Sequence, residues 1–269
     1  MSMISEEIKK TTITTIKNKK NKEVITMITA YDALFSSLFD GSVDMILVGD
    51  SLQMSFNGDS DTLQANLEMM IYHTKAVCKG AKNSLIVLDM PFGTYLDEKE
   101  ALKNAVKVYK ETKASAVKIE GGENKAHIIK HLTDNGIAVV GHIGLLPQLV
   151  RAEGGYKVKG KNNFEKEQLI RDAKAVEEAG AFCMVIEGVI SEVATQIAQS
   201  VNIPIIGIGA GNGVDGQVLV WSDAFGFFED FKPKFVKQYM QGADIIKNAL
   251  GNYVKDVKSR EFPDENHSY

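Results

Sequence analysis

The feature that most restricts this chain is an alternation of short, apolar, β-branched runs with longer stretches of helical period. The runs occupy residues 24–30, 45–49, 85–89, 116–119, 138–142, 183–187, 204–208 and 217–221. They are apolar on both faces, which suits parallel strands covered by helices and not ribbons with one wet face. Helical patterning fills residues 66–78, 97–112, 123–135, 164–180 and 190–200. Within 164–180, Leu169, Ala173, Val176 and Ala179 share one face, while Glu165, Lys166, Arg171 and Asp172 turn to water. Gly180 stands where a helix would end in a left-handed residue.

Eight such units fit the 269 residues as an α/β fold, a (β/α)8 TIM-type barrel forming a single domain over 1–269. A doubly wound open sheet is the competing architecture, disfavoured because no linker divides the chain at its midpoint. Only residues 209–216 separate the seventh and eighth runs, too few for an ordinary helix, so closure of the barrel is an inference at this point. A short N-terminal extension (about 1–22) and a polar C-terminal tail (about 258–269) flank the barrel. Lys17, Lys19, Lys20 and Lys22 in that extension read as a solvated connector.

The informative pattern is where charge falls. Five runs end in an ionisable group or meet one directly: Val48-Gly49-Asp50, Val87-Leu88-Asp89, Val117-Lys118-Ile119-Glu120, Val139-Val140-Gly141-His142 and Val185-Ile186-Glu187. The intervals between them each accommodate one helix with its loops, so all five ends gather on the carboxyl rim where barrel enzymes build their sites. One charged strand end marks no more than a strand leaving the core; five together describe a constellation.

Two Asp on neighbouring strand ends, without Cys or a His-rich motif, suit a hard cation that wants oxygen ligands and keeps several waters, magnesium more than zinc. A 2-oxo acid can chelate such an ion through its keto and carboxylate oxygens, and the ion then stabilises the enolate formed when a neighbouring carbon loses its proton. Lys118 offers a cation to the substrate carboxylate, and Glu187, partly desolvated at the end of an apolar strand, is the general base.

Other signals are weak. Residues 211–216 satisfy the spacing G-x-G-x-x-G, but no long helix opens on the third glycine, so the glycines serve tight turning and close approach, not dinucleotide binding. His73 reads as a packed or surface histidine, and Met69, Met70 and Trp221 as core or interface. Cys78 and Cys183 lie far apart in sequence and are read as reduced core thiols. The formal charge of -4 provides no cationic field for nucleic acid or an anionic membrane. Met1-Ser2-Met3-Ile4 runs into Glu6, Glu7, Lys9 and Lys10 with no apolar signal core, and no apolar stretch approaches the roughly 18 residues of a membrane span, so a cytoplasmic protein with small-molecule partners is expected.

Ordered motifs from about Thr11 to the tail resemble the ketopantoate hydroxymethyltransferases, also called 3-methyl-2-oxobutanoate hydroxymethyltransferases. They are Thr29-Ala30-Tyr31-Asp32, Val48-Gly49-Asp50-Ser51-Leu52, Tyr72-His73-Thr74, Asp89-Met90-Pro91-Phe92, Val117-Lys118-Ile119-Glu120-Gly121-Gly122 and Gly141-His142-Ile143-Gly144-Leu145-Leu146-Pro147-Gln148. Gly154-Gly155-Tyr156-Lys157-Val158-Lys159-Gly160, Ile206-Gly207-Ile208-Gly209-Ala210-Gly211 and Asp223-Ala224-Phe225-Gly226 continue the series. The resemblance implies a magnesium-dependent barrel enzyme of pantothenate synthesis. It would transfer a one-carbon unit from 5,10-methylenetetrahydrofolate to 3-methyl-2-oxobutanoate, giving 2-dehydropantoate, and form a homo-oligomer, typically a decamer.

Position by position, the resemblance makes Asp50 and Asp89 metal ligands, with Glu120 reaching the metal directly or through water. Ser51 and Lys118 become oxo-acid contacts, Glu187 the proton acceptor and His142 a polar wall of the pocket. Gln53 stands where the family usually has Gly, Ser222 replaces a customary His, and Asn266-His267-Ser268-Tyr269 differs from the usual Glu-His-Ser-Phe. The expected reaction has Glu187 take the proton from carbon 3 and the enolate attack the methylene carbon released from folate as an iminium. A magnesium-dependent carbon-carbon lyase on another 2-oxo acid is the alternative within the same chemistry, and a barrel that only binds a metabolite is the alternative from another class.

Overall fold

A computed structural model describes residues 10–228 and 232–269. The first nine residues of the expected N-terminal extension lie outside them. In chain order the elements are α1 (Ile13–Asn18), β1 (Ile25–Thr29), α2 (Ala33–Phe39), β2 (Met45–Val48), α3 (Leu67–Gly80), β3 (Leu85–Asp89), α4 (Glu98–Glu111) and β4 (Ala116–Glu120). They continue with α5 (Ala126–Asp134), β5 (Val139–Gly144), α6 (Val150–Glu153), α7 (Asn163–Glu178), β6 (Cys183–Glu187), α8 (Ser191–Ser200), β7 (Ile205–Ile208), β8 (Gly216–Leu219), α9 (Trp221–Ala224) and α10 (Gly242–Ser259).

The eight strands are parallel and close into a barrel, with β8 pairing β1 through Ile25↔Gly216 to Ile28↔Leu219. The (β/α)8 architecture is therefore present, and the open sheet is excluded. The eighth strand starts one residue earlier than expected and ends at Leu219, because Trp221 begins a helix. As the short interval requires, β7 reaches β8 without a helix. The glycines there allow a tight approach: a Cβ at Gly211 would fall 2.0 Å from Ser191 Oγ, and one at Gly213 2.1 Å from Thr195 Oγ1, both on α8.

Strand parity fills the interior. Ile25 and Met27, Met45 and Leu47, Leu85 and Val87, and Cys183 and Val185 all enter one buried cluster, as residues two apart on a strand must. Several helices begin on a side-chain cap: Asn66 accepts from Met69 N–H, Asp97 from Glu100 N–H and Asn162 from Glu165 N–H. In α7, Leu169, Ala173 and Val176 are buried as expected, and Gly180 follows with φ +93°.

Of the lysines before β1, Lys17 and Lys22 are exposed as the solvated-connector reading expects, but for Lys19 and Lys20 that reading is corrected by α1. Ile16 is fully buried in the barrel cluster, with Ile13 packed against it, so this turn of helix closes the barrel's interior. Lys20 Nζ donates to Asp215 Oδ2 at 2.8 Å and to the Ala198 carbonyl at 2.7 Å, and Lys19 Nζ pairs with Asp44 at 2.6 Å. These lysines staple the helix to distant parts of the chain.

The chain divides into two compact units, the boundary falling between Leu219 and Val220. The first holds the barrel and the second holds α9 and α10. Sequence patterning does not mark α10; its Ile245, Ile246, Leu250 and Tyr253 are exposed. Both cysteines are buried and unpaired, and no helix among the described residues is long and apolar enough to cross a membrane.

Candidate active site

The parity that buries the barrel interior also delivers its charges. Counting inward positions by twos, Leu85 and Val87 lead to Asp89, Val140 to His142, Cys183 and Val185 to Glu187, and Ala116 to Lys118 and Glu120. Asp50 is the exception: it follows Gly49 in the turn after β2. Register sets the heights, with Asp89 beside Lys118, Glu120 beside His142 and Glu187 beside Gly144. Beta4 thus runs through Glu120, one residue beyond the apolar run.

The expected residues meet. Lys118 Nζ lies 2.8 Å from Asp89 Oδ1, 3.9 Å from Glu120 Oε1 and 3.2 Å from His142 Nδ1. His142 bridges onward, its Nδ1 3.5 Å from Glu120 Oε1 and its Nε2 3.3 Å from Glu187 Oε2. The Asp50 amide reaches toward Asp89 Oδ2 at 3.4 Å, joining the two aspartates. Ser51 stands next in the chain, its Oγ 2.9 Å from Tyr31 Oη. Asp50, Asp89, Lys118, Glu120 and His142 are all buried, while the Glu187 side chain keeps 21% of its surface.

Burial and crowding set the protonation tendencies. Asp50 is pushed well above the usual carboxylate range, by burial first and then by the charges of Asp89 and Glu120. Burial also raises Asp89, against the pull of Lys118. Burial would raise Glu120, but the His142 ring and Lys118 hold it below the ordinary value. Burial would discharge Lys118, yet Asp89, Glu120 and Asp50 around it push its pKa upward. For His142, burial and Lys118 act downward, and hydrogen bonding to Glu120 and Glu187 prevails, raising it to about 9.

The donor set suits a hard cation. Three buried acids, Asp50, Asp89 and Glu120, crowd together around the Lys118 ammonium in a low-dielectric site, and their mutual repulsion is what a divalent cation would relieve. Glu120 Oε1 is buried and makes no close hydrogen bond, its nearest donors being His142 Nδ1 at 3.5 Å and Lys118 Nζ at 3.9 Å. Among the described residues no three His, Cys, Asp or Glu side chains form a ready-made metal cage. That spacing still fits magnesium, which uses one or two carboxylates and keeps the rest of its shell as water or substrate oxygen. Asp50 and Asp89, with Glu120 behind them, are the residues able to hold it.

A family profile described as ketopantoate hydroxymethyltransferase matches residues 10–265. The chain belongs to the ketopantoate hydroxymethyltransferase family. It is 63% identical to the 3-methyl-2-oxobutanoate hydroxymethyltransferase of Aliarcobacter butzleri over 269 residues, all of both chains. It is 65% identical to that of Sulfurimonas denitrificans over 97% of this chain and 99% of the relative. For that of Helicobacter pylori strain P12 the identity is 58% over all of both chains. Among solved structures, a phosphonopyruvate hydrolase complexed with oxalate and Mg++ aligns with TM-score 0.62 at 11% identity, covering 96% of this chain and 93% of its own. A 2,3-dimethylmalate lyase of the PEP mutase/isocitrate lyase superfamily aligns with TM-score 0.59 at 15% identity, covering 96% and 92%. At those identities the likeness concerns the barrel alone.

In this hydroxymethyltransferase, sequence reading missed three site residues. Gln148 and Tyr31 lie inside the quoted motifs without a role having been drawn from them, and Tyr95 carries no sequence signal. Gln148 is buried, and its Nε2 donates to Asp50 Oδ2 at 2.9 Å. Gln53, the family departure, opens a π-helical turn (Gln53–Asn57), is buried and donates through Nε2 to Asp59 Oδ2 at 3.0 Å. His73 is a packed histidine as expected, its Nδ1 2.6 Å from the Tyr31 carbonyl oxygen. Beside Glu120 and Gln148 lies an open cleft lined by Phe92, Leu96, Leu146 and Leu149 together with Asn124 and Lys125.

Proposed function

We infer that this chain transfers a hydroxymethyl group from 5,10-methylenetetrahydrofolate to 3-methyl-2-oxobutanoate, giving 2-dehydropantoate in pantothenate synthesis. The observation that carries the reading is the convergence of Asp50, Asp89, Lys118, Glu120, His142 and Glu187 on one barrel rim, in a chain of this family.

The roles follow from the chemistry each group can do. Asp50 and Asp89 would hold Mg2+ with Glu120 in support, and Ser51 and Lys118 bind the oxo acid. When bound, the ion supplies a Lewis acid that draws charge from the keto oxygen. Glu187 takes the proton from carbon 3; its partly exposed carboxylate can meet substrate, and the contact with His142 Nε2 orients it. His142 forms a polar wall between Glu187 and Lys118. Water adds to the folate methylene carbon and both of its carbon–nitrogen bonds break, releasing tetrahydrofolate and formaldehyde; the electron pair left at carbon 3 then attacks the formaldehyde carbon, and the resulting alkoxide takes a proton to become the hydroxyl. The apolar cleft beside Glu120 suits the flat pterin ring of the second substrate, with Asn124 and Lys125 available to its polar edge.

Incubating the purified protein with oxo acid, methylenetetrahydrofolate and Mg2+ should yield 2-dehydropantoate by mass spectrometry, and EDTA should abolish it. Product without added metal after exhaustive chelation would defeat the metal assignment; turnover of an oxo acid without folate would indicate a lyase instead. The same resemblance supports a cytoplasmic homo-oligomer, typically decameric, and light scattering on the eluted protein reads the subunit number.

A further inference from the structure

Gln148 has no role in the reaction as derived above, yet it is the most connected neutral side chain in the site. It sits in the turn Pro147–Leu149, after β5, and is buried. Its backbone N–H donates to Glu120 Oε2 at 3.1 Å. Its Nε2 donates to Asp50 Oδ2 at 2.9 Å and to the Met90 carbonyl at 3.0 Å, and its Oε1 accepts from Tyr95 Oη. The Met90 carbonyl can only accept, so it fixes which way the amide faces: nitrogen toward Asp50, oxygen toward Tyr95.

One residue therefore ties together segments that follow β2, β3 and β5 and the end of β4. It holds one oxygen of Asp50 and one of Glu120, while the other Glu120 oxygen, Oε1, faces the site with only the longer contact to His142 Nδ1 at 3.5 Å and to Lys118 Nζ at 3.9 Å. A neutral donor is the chemistry such a place needs. An ammonium would neutralise the carboxylate it touched, and a fourth carboxylate would repel Asp50, Asp89 and Glu120 and lose the bond to Met90.

We propose that Gln148 is a positioning residue: an uncharged clamp that locks the Asp50 and Glu120 carboxylates in the orientation that presents their remaining oxygens to the divalent cation. This rests on the metal assignment made above for the same site. Groups that orient metal ligands from behind change metal affinity by about 10–100-fold when removed. The clamp should do the same without being essential to the fold.

The test uses the full-length protein stripped of metal and Mn2+ as probe, followed by electron paramagnetic resonance. Gln148→Met keeps length and volume and removes the amide. It should melt within a few degrees of wild type and bind Mn2+ about tenfold or more weakly. Tyr95→Phe, which removes the hydroxyl that donates to Oε1, should weaken binding in the same direction by a smaller factor. Because it leaves Gln148 itself in place, it serves if the methionine variant does not fold. Mn2+ affinity within twofold of wild type in a folded Gln148→Met protein overturns the clamp and leaves the metal site standing. If Gln148→Met does not fold, unchanged affinity in Tyr95→Phe overturns it. Absence of Mn2+ binding in wild type overturns both the clamp and the metal assignment.

Discussion

Replacing Glu187 by Gln should slow the loss of the carbon-3 proton of 3-methyl-2-oxobutanoate by about a hundredfold to ten-thousandfold, the usual contribution of a positioned general base. That range corresponds to about 3–5 kcal/mol of barrier. The structure argues that the loss is one of basicity and not of shape. Glu187 stands at the end of β6 on the inward parity, with Oε2 3.3 Å from His142 Nε2, and a Gln carbonyl oxygen can occupy the same place against the same nitrogen. Glu187→Asp offers a control in which the base survives but retreats by one methylene. Misplacement on that scale can cost up to about a hundredfold, so its rate should fall between wild type and Gln. The assay is proton NMR of the oxo acid in D2O with Mg2+ and no folate, so that proton abstraction is read apart from one-carbon transfer. Exchange by Glu187→Gln within threefold of wild type would refute the assignment.

Four further substitutions probe the fold. Ile16→Ala removes a fully buried side chain from the barrel cluster, and should cost about 2–4 kcal/mol and lower the melting temperature by about 5–15 °C in calorimetry. Asp40 accepts from the backbone N–H groups of Lys82, Asn83 and Ser84. Burial acts to raise its pKa, but those donors hold it below the ordinary carboxylate range. Its stabilisation is present above the unfolded pKa of about 4 and is lost as pH falls through the lower folded value, so the melting deficit of Asp40→Asn should be full at neutral pH and close in acid. Gly211→Ala should destabilise by about 1–3 kcal/mol, since φ is +80° and the new methyl meets Ser191 at 2.0 Å. Gly251→Ala, in α10 with open space around it, should stabilise by about 0.5–1 kcal/mol in denaturant titrations.

The barrel was legible because β2 to β7 are buried on both faces, so each announces itself as an apolar run whatever its partners, while β1 and β8 expose Thr26 and Gln217. The site was legible where it obeys strand parity, as with Asp89, Lys118, His142 and Glu187. What failed to show depends on partners remote in sequence or on elements too short to carry a period. Alpha1 spans six residues, and the partner that buries Lys20, Asp215, comes 195 residues later, so the basic cluster looked like a solvated run. Alpha2 has seven residues, and its Leu34 and Leu38 stay exposed while Ser36 is buried, which inverts the expected pattern. Gln148 reaches Asp50 across 98 residues, and a glutamine at a turn carries no sign of the carboxylates it serves.

The rim also explains why these particular charges must act as a unit. Register places Lys118 level with Asp89 and two residues before the Glu120↔His142 pair, and the ammonium pairs most closely with Asp89. Burying three carboxylates over one ammonium costs more than an apolar lining of the same volume, and a barrel selected for stability alone would carry leucines there. The cost is tolerable where an outside cation completes the charge balance. A leucine at any one position would leave the remaining acids or the ammonium short of a partner and would destabilise more than a replacement of the whole set. Single-site variants of Asp89 and Lys118 should therefore be strongly coupled. The double variant Asp89→Leu/Lys118→Leu should melt higher than the sum of the two single losses implies, by about 1–3 kcal/mol of coupling energy. Strict additivity in that cycle would show that the 2.8 Å pair is not an energetic unit, and the charge-balance argument for a cation would fall with it.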